Sequence, residues 1–288
     1  LGVNINGLSL NSQKKEKELQ TLVEDHRPDV VCLAEVNVAW QNVEPDKQLD
    51  VRVSAWWPDA FTACAWYEGS PEAQTKQYQP GGVAIVVRQR DCVVDSGRDT
   101  RGLGRWVWVR IRQENDRHLT VVSAYRPVHN PNASFSVYSQ QAEHFKNGSG
   151  NIQSQCPRQQ FLIDLKSELK KFRDCDDEVS LFIDANGNVA NPKTDLGRIL
   201  KTYSLEETTI RKFGARSPPT HKRGSVPIDG LFLSDHVPVK KTGYLPFSDL
   251  SDHRPLFVDI SAKTNDWKII RFLFDLTIKY MSFDLVVD

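Results

Sequence analysis

Short apolar runs that end on a polar residue recur along this sequence, and they constrain its fold more than any other feature. Residues 29–35 form such a run and close on Glu35, while residues 179–184 close on Asp184. The run at 29–35 does not alternate, which is typical of a strand buried on both faces. The run at 106–112 alternates with period two, which predicts one wet face. Further strands are predicted at 2–8, 81–88, 119–125, 228–234 and 255–261.

Helical patterns are fewer. Helices are predicted at 13–26, 158–173 and near 194–203, a surface loop at 130–157, and a packed strand region around Trp56, Trp57 and Trp66. Many strands with few helices, without a repeat or a linker, favour an α+β fold: a two-sheet β-sandwich flanked by helices. We expect one domain at 1–262 and a C-terminal appendage of unknown role at 263–288.

Composition excludes several classes of protein. The 37 basic residues balance the 37 acidic ones, so bulk positive charge cannot be the way the chain holds nucleic acid, although a local basic face can. The five cysteines show no Cys-x-x-Cys spacing, which argues against a cysteine zinc cage and favours reduced thiols. No apolar run is long enough to span a bilayer. The chain starts at Leu1 and its one methionine is Met281, so we expect a piece of a longer protein.

Polar residues gather at the predicted strand ends. Taken singly, each is more often an ordinary turn or surface residue. Asp229 is more informative, because its neighbours Ile228 and Gly230-Leu231-Phe232 are apolar and a carboxylate there needs a partner. A histidine on a neighbouring strand would serve. Strand ends at one edge of a sandwich converge, so we expect these groups to share one rim.

The order of these polar motifs is similar to that of the endonuclease/exonuclease/phosphatase superfamily. The motifs are Asn4-Ile5-Asn6-Gly7, Leu33-Ala34-Glu35, Ser123-Ala124-Tyr125, Ile183-Asp184-Ala185-Asn186, Pro218-Pro219-Thr220, Ile228-Asp229 and Ser251-Asp252-His253-Arg254-Pro255. The chain most resembles the endonuclease domains of non-long-terminal-repeat retrotransposons, from Leu1 to about Ser261. It departs from the usual pattern at Ala34, where the superfamily has Gln, and at Ala185, where it has Phe. The resemblance implies a four-layer fold like that of deoxyribonuclease I.

The resemblance also implies a Mg²⁺-dependent phosphodiesterase that nicks DNA, with Mn²⁺ as the alternative ion. Carboxylate and amide oxygens suit a hard cation, so the implied metal ligands are Glu35, Asn6 and Asp252. The implied catalytic residues are His253, Asp229, Asp184, Asn186 and Tyr125, and the implied phosphate-binding residues are Asn4, Asn186, Tyr125 and Thr220. His253 would pair with Asp229 and donate to phosphate.

Two stretches carry an excess of basic residues and are candidates for contact with DNA. They are 76–126, which includes Arg126, and 209–224, which has no acid. Such runs are more often solvated faces. The implied partners are DNA and a covalently linked reverse transcriptase outside this chain, with no membrane, in an intracellular location that is nuclear if the target is chromosomal. Two alternatives stay open: a small-molecule phosphatase or phosphodiesterase of the same superfamily, and an inactive binding module from a decayed element.

Overall fold

The structure is a computed structural model that describes residues 1–8, 10, 13–69, 77–113, 116–147, 156–214 and 217–261. The predicted appendage at 263–288 lies outside the described residues, so its boundary at 262 stays a prediction. Within the described ranges the chain forms two six-stranded sheets. No helix in these ranges is long and apolar enough to cross a membrane.

The first sheet is built from both ends of the chain. Its strands are β1 (Gly2–Asn4), β2 (Val30–Ala34), β3 (Phe61–Ala65), β4 (Val83–Val87), β11 (Val239–Tyr244) and β12 (Leu256–Ile260). Their order is β11-β12-β1-β2-β4-β3. β1 and β2 are parallel, and the other neighbours are antiparallel.

The second sheet is built from the middle of the chain. Its strands are β5 (Val93–Arg98), β6 (Trp106–Arg112), β7 (His118–Tyr125), β8 (Glu178–Asp184), β9 (Leu205–Glu207) and β10 (Asp229–Ser234). Their order is β5-β6-β7-β8-β10-β9, with β7 and β8 parallel and the rest antiparallel. The expected sandwich of mainly antiparallel strands is confirmed.

Helices flank the two sheets. They are α1 (Lys14–His26), α2 (Leu49–Ser54), α3 (Val137–Asn147), α4 (Pro157–Asp174), α5 (Asp195–Thr202) and α6 (Thr208–Phe213). Apolar residues of α1 and α2 share one core with the first sheet, and those of α4 and α5 share another with the second. A third core lies between the sheets. The molecule therefore has four layers, helix–sheet–sheet–helix.

The sheets lie close together beside the start of the described chain. A Cβ atom at Gly2 would lie 2.2 Å from the ring of Phe182, so only glycine fits there. Ser123 donates a hydrogen bond of 3.0 Å from Oγ to the carbonyl of Leu33 and ties the two sheets together near the same end. These contacts fix the relative position of the strand ends that carry the polar residues.

Several expectations about local structure are wrong. The predicted loop at 130–157 contains α3, and Trp56 and Trp57 follow the short helix α2 instead of lying in a strand. The face of β6 predicted to be wet is covered by α4, since Trp106 and Trp108 make edge contacts with Phe161 and Phe172. The elements β5, β9, β11, α2 and α6 were not predicted, because they are short or rich in polar residues.

Candidate active site

Strand ends from both sheets meet at one rim. β1 and β2 run parallel, and β7 and β8 run parallel, so their carboxyl ends lie on the same side as the starts of the antiparallel β10 and β12. The residue Asp229, first in β10, lies opposite Asp184, last in β8, and Tyr125 lies beside Asp184 on the other side. The predicted convergence of the polar residues is confirmed.

Asn4 lies at the centre of the rim and joins two carboxylates. Its Nδ2 donates hydrogen bonds of 2.7 Å to Glu35 Oε2 and 2.7 Å to Asp184 Oδ2, while its Oδ1 accepts from the backbone N–H of Asn6 at 2.8 Å. Tyr125 donates from its hydroxyl to Glu35 Oε1 at 2.7 Å. In this arrangement Asn4 holds the two acids in place, and both oxygens of Glu35 are fixed.

The backbone around these acids is strained. Asn6, Glu35 and Asn186 have φ values of 45°, 48° and 45°, in the left-handed region that non-glycine residues seldom adopt. Strain of this kind is retained at functional sites when the surrounding structure enforces it. Each of these residues lies one or two positions after the end of a strand, at the rim.

Asp229 and His253 form the buried pair that the sequence predicts. His253 Nδ1 lies 2.7 Å from Asp229 Oδ2, with the side chains 7% and 0% exposed. Burial alone would lower the pKa of His253, but the hydrogen bond and negative charge of Asp229, helped by Asp184 and Asp252, raise that pKa to about 9. His253 is therefore an imidazolium at neutral pH, with Nε2–H left to donate to a ligand.

Burial also shifts the other groups at the rim. It raises the pKa of Asp184 well above the ordinary carboxyl value, and the neighbouring charges of Asp229 and Glu35 add to the rise. It raises the pKa of the Tyr125 hydroxyl, with Glu35 again contributing. Asp184 is thus a stronger proton acceptor than a free carboxylate, and Tyr125 remains a donor.

Asp252 contacts both Asn6 and a second histidine, His221. Its Oδ1 accepts from Asn6 Nδ2 at 3.2 Å, and its Oδ2 lies 3.2 Å from His221 Nε2. The Nδ1 of His221 accepts from the backbone N–H of Arg223, so Nε2 carries the proton and donates to Asp252. The rings of His221 and His253 stack edge to face at 4.9 Å. Sequence reasoning missed His221, because no strand period or motif marks it.

The donor set fits a hard divalent cation. Ligand oxygens of Glu35 and Asp184 lie within 4.8 Å of each other. The imidazolium of His253 has no lone pair to offer, and both ring nitrogens of His221 already form hydrogen bonds, so the donors left for a cation are the carboxylate and amide oxygens. Oδ1 of Asp229 is buried without a hydrogen-bond partner among the described residues, while Oδ2 pairs with the imidazolium of His253. Oxygen-rich sites of this charge suit Mg²⁺ or Mn²⁺. The individual ligand and phosphate roles stay predictions.

Two residues expected to contact phosphate support other site residues. Thr220 is fully buried, and its Oγ1 accepts the backbone N–H groups of Ile228 and Asp229 at 2.9 and 3.0 Å. It therefore positions the start of β10 from behind. The side chain of Asn186 donates from Nδ2 to the carbonyl of Arg126 at 2.8 Å, and its backbone N–H caps Asp184 Oδ1 at 2.9 Å.

Five arginines of the basic stretch at 76–126 form ion pairs with acids. Arg105 is fully buried between Asp99 and Asp164, and Arg101 shares Asp164. The other ion pairs of the stretch are Arg98–Glu68, Arg110–Asp177 and Arg117–Glu178. These arginines form ion pairs within the protein. The expectation that the whole stretch binds a phosphate backbone is therefore weakened. Arg126, at the rim, is different.

The family model of the endonuclease/exonuclease/phosphatase family matches residues 1–179, more than half of the chain. The chain therefore belongs to this family, whose members are nucleases and phosphatases. No curated protein matches the sequence. The narrower resemblance to retrotransposon endonucleases stays a prediction.

Solved structures of the same fold include the catalytic domain of human Nocturnin with bound sulfate, at 16% identity and a TM-score of 0.62, covering 90% of this chain and 91% of that one. The Xenopus laevis APE2 catalytic domain is similar at 14% identity and a TM-score of 0.62, covering 90% of each chain. The 3′ phosphatase NExo from Neisseria, bound to a product DNA hairpin, is similar at 15% identity and 0.58, covering 90% and 98%. These likenesses establish the deoxyribonuclease I-like fold.

Proposed function

We propose that this protein is a metal-dependent phosphodiesterase that nicks DNA. The observation that carries the proposal is the buried Asp229–His253 pair, set among the carboxylates of Glu35 and Asp184 at one rim. In-line attack of water on a phosphodiester needs a positively charged hydrogen-bond donor for the phosphate and a carboxylate that accepts the proton of the water, within a few ångströms of each other. The DNA-processing names of two similar structures, APE2 and NExo, agree with a DNA substrate.

Each residue at the rim has a distinct task in this mechanism. Glu35, Asn6 and Asp252 would hold the divalent ion, which when bound would neutralise charge on the scissile phosphate. The imidazolium of His253 donates from Nε2 to a phosphate oxygen, and Asp229 keeps that proton in place. Asp184, with its raised pKa, accepts a proton from the attacking water.

The remaining residues orient these groups. Asn4 bridges Glu35 and Asp184 and fixes the distance between the ion's seat and the base. Tyr125 donates a hydrogen bond to the second oxygen of Glu35. If Glu35 bound the divalent ion instead, the Tyr125 hydroxyl would be free to donate to a phosphate oxygen. Asn186 donates its backbone N–H to Asp184 Oδ1 and, together with Asn4 at Oδ2, fixes the orientation of that carboxylate.

A plasmid assay tests the proposal. Supercoiled plasmid with Mg²⁺ should give the nicked form, EDTA should abolish the reaction, and His253→Gln should be inactive at equal protein concentration. A parallel reaction with an inositol polyphosphate measures release of inorganic phosphate. Phosphate release without nicking would contradict the proposal in favour of a small-molecule phosphatase. Failure of both reactions would favour an inactive binding module.

We propose further that the nuclease serves a retrotransposon-type polyprotein, with a reverse transcriptase on the same polypeptide and a nuclear site of action. The support is the sequence resemblance, above all Asn4-Ile5-Asn6-Gly7-Leu8 and Ser251-Asp252-His253-Arg254-Pro255-Leu256. A polymerase can extend only a 3′ hydroxyl, so the nicks should be extended by a DNA polymerase without prior treatment. Nicks that need a 3′ phosphatase before extension would contradict this role.

A further inference from the structure

Two arginines lie against each other at the edge of the rim. Arg126 directly follows β7, and Arg158 lies in the first turn of α4. Arg126 donates from Nε and Nη2 to the carbonyl of Arg158 at 3.4 and 3.3 Å. Arg158 in turn donates to the carbonyls of Pro127 and Asn186, the latter at 3.1 Å. Every one of these hydrogen bonds goes to a neutral backbone carbonyl.

Neither arginine has a carboxylate partner among the described residues. Arg98, Arg101 and Arg105 all form ion pairs, whereas no acidic oxygen of the described chain lies within 4.0 Å of the guanidinium of Arg126 or Arg158. Both side chains are half-buried. Two like charges thus lie together in a partly desolvated place without a direct ion pair, and the charges of Asp195 near Arg126 and Asp184 near Arg158 offset the cost of burial only in part.

That arrangement is unfavourable without an anion. Burial lowers the pKa of Arg126 to about 10, and the positive charge of Arg158 contributes to the lowering. Burial likewise lowers the pKa of Arg158. Since guanidinium groups bind phosphate in a forked geometry, an incoming phosphate would relieve both the repulsion and the desolvation.

The pair is coupled to the reaction centre through one residue. Asn186 accepts from Arg158 through its carbonyl, donates to the carbonyl of Arg126, and caps Asp184. A nucleic-acid strand with its scissile phosphate at Asp184 would bring a neighbouring phosphate to the two guanidinium groups.

We propose that Arg126 and Arg158 form a phosphate-binding subsite that holds a non-scissile phosphate of the DNA strand next to the one that is cut. The subsite sets the register of the strand over Asp184. This inference rests on the proposed nuclease function, because it assigns a place to the same substrate.

Binding without cleavage tests the subsite independently of activity. Anisotropy of a fluorescent DNA duplex is measured in EDTA at several salt concentrations for the wild type, Arg158→Gln and Arg126→Gln. Each variant should bind about tenfold more weakly at low salt, and the slope of log affinity against log salt should fall by about 0.9, the value for one lost phosphate contact. Arg112→Gln is the control, because Arg112 is exposed at the opposite end of β6. An unchanged slope in both variants, with melting temperatures like that of the wild type, would overturn the subsite.

A neutral phosphate analogue locates the contact without altering the protein. A duplex carrying a mapped nick site receives one methylphosphonate at each position flanking the cut. One position should lower kcat/KM of the wild type about tenfold or more, as expected for loss of a charge-assisted hydrogen bond, and should lower that of Arg158→Gln little further. Equal losses in both proteins at every position would refute the inference. Absence of any nicking by the wild type would instead refute the proposed function, and the salt slopes would still decide the subsite.

Discussion

Replacing Asp229 by asparagine should move the pH dependence of the reaction while leaving the geometry in place. Asn keeps the size of Asp229 and an oxygen that can accept from His253 Nδ1, so the 2.7 Å contact is retained without its charge. The imidazolium loses the partner that contributes most to raising its pKa. Burial of His253 then dominates and lowers the pKa.

The size of the effect follows from the shift. The pKa of His253 rises from 6.5 to about 9 in the folded protein, which corresponds to about 3 kcal/mol in favour of the imidazolium. In the variant the pKa should return to about 6.5 or below. At pH 7.5 the ratio of protonated to neutral His253 is then roughly 30 to 1 in the wild type and about 1 to 10 in the variant. We expect kcat to fall about tenfold at pH 7.5, with little change near pH 5.5.

The same shift affects stability. A histidine whose pKa is raised on folding contributes stability that is present below the unfolded value of 6.5 and is lost as pH rises through the folded value of about 9. The free energy of unfolding of the wild type should therefore decline between about pH 6.5 and 9. That decline should be smaller in Asp229→Asn.

The assay is the pH profile of plasmid nicking, combined with an NMR titration of the His253 ring. Asp177→Asn is a matched control, because Asp177 is a buried carboxylate that pairs with Arg110 just before β8, away from the rim. Asp177→Asn should be less stable than the wild type, but its nicking activity should still fall near pH 9, as in the wild type. The reasoning would be refuted if the activity of Asp229→Asn also fell only near pH 9, or if the His253 ring titrated as in the wild type.

Three further predictions concern the site and the scaffold. Glu35→Ala and His253→Ala should each abolish nicking, and the double variant should be little worse than either single variant, because the two residues act in one transition state; independent, multiplicative losses would contradict a shared site. Asp252→Asn should raise the Mg²⁺ concentration for half-maximal nicking about tenfold or more, and an unchanged requirement would exclude Asp252 from the metal's surroundings. Asp99→Asn should lower the free energy of unfolding by about 3 kcal/mol or more in urea titrations, because it leaves the fully buried Arg105 with Asp164 alone; a loss below about 1 kcal/mol would contradict this estimate.

The strand-end residues could be predicted because local sequence determines them. An apolar run that closes on Glu35 or Asp184 specifies both the strand and the place of its acid, and the strands' directions then bring those acids together. The pairing of Asp229 with His253 could be predicted from the need of a buried carboxylate for a partner.

Contacts between distant segments could not be predicted in the same way. Arg101 and Arg110 belong to a basic run of the sequence, yet the acids that pair with them, Asp164 and Asp177, lie about sixty residues further along. Arg105 pairs with Asp164 as well as with the nearby Asp99. Helix α3 was hidden because its sequence is mostly polar. Arg158 is a further example. Its position in the sequence of α4 gives no sign that its side chain contacts Asn186 at the rim.

The two departures from the usual superfamily pattern fall where a small apolar side chain is accommodated. Ala34 and Ala185 are 0% and 1% exposed, and they pack in the cores on either side of the second sheet. Their backbones do the positioning: the carbonyl of Ala34 accepts from Ile5 at 3.0 Å, and the N–H of Ala185 donates to Ile228 at 2.9 Å. The changes therefore leave the polar groups of the rim intact, whereas random decay would strike those groups as readily as the core. The intact polar rim agrees with the proposed nuclease, and the plasmid assay with His253→Gln is the measurement that separates this proposal from a decayed binding module.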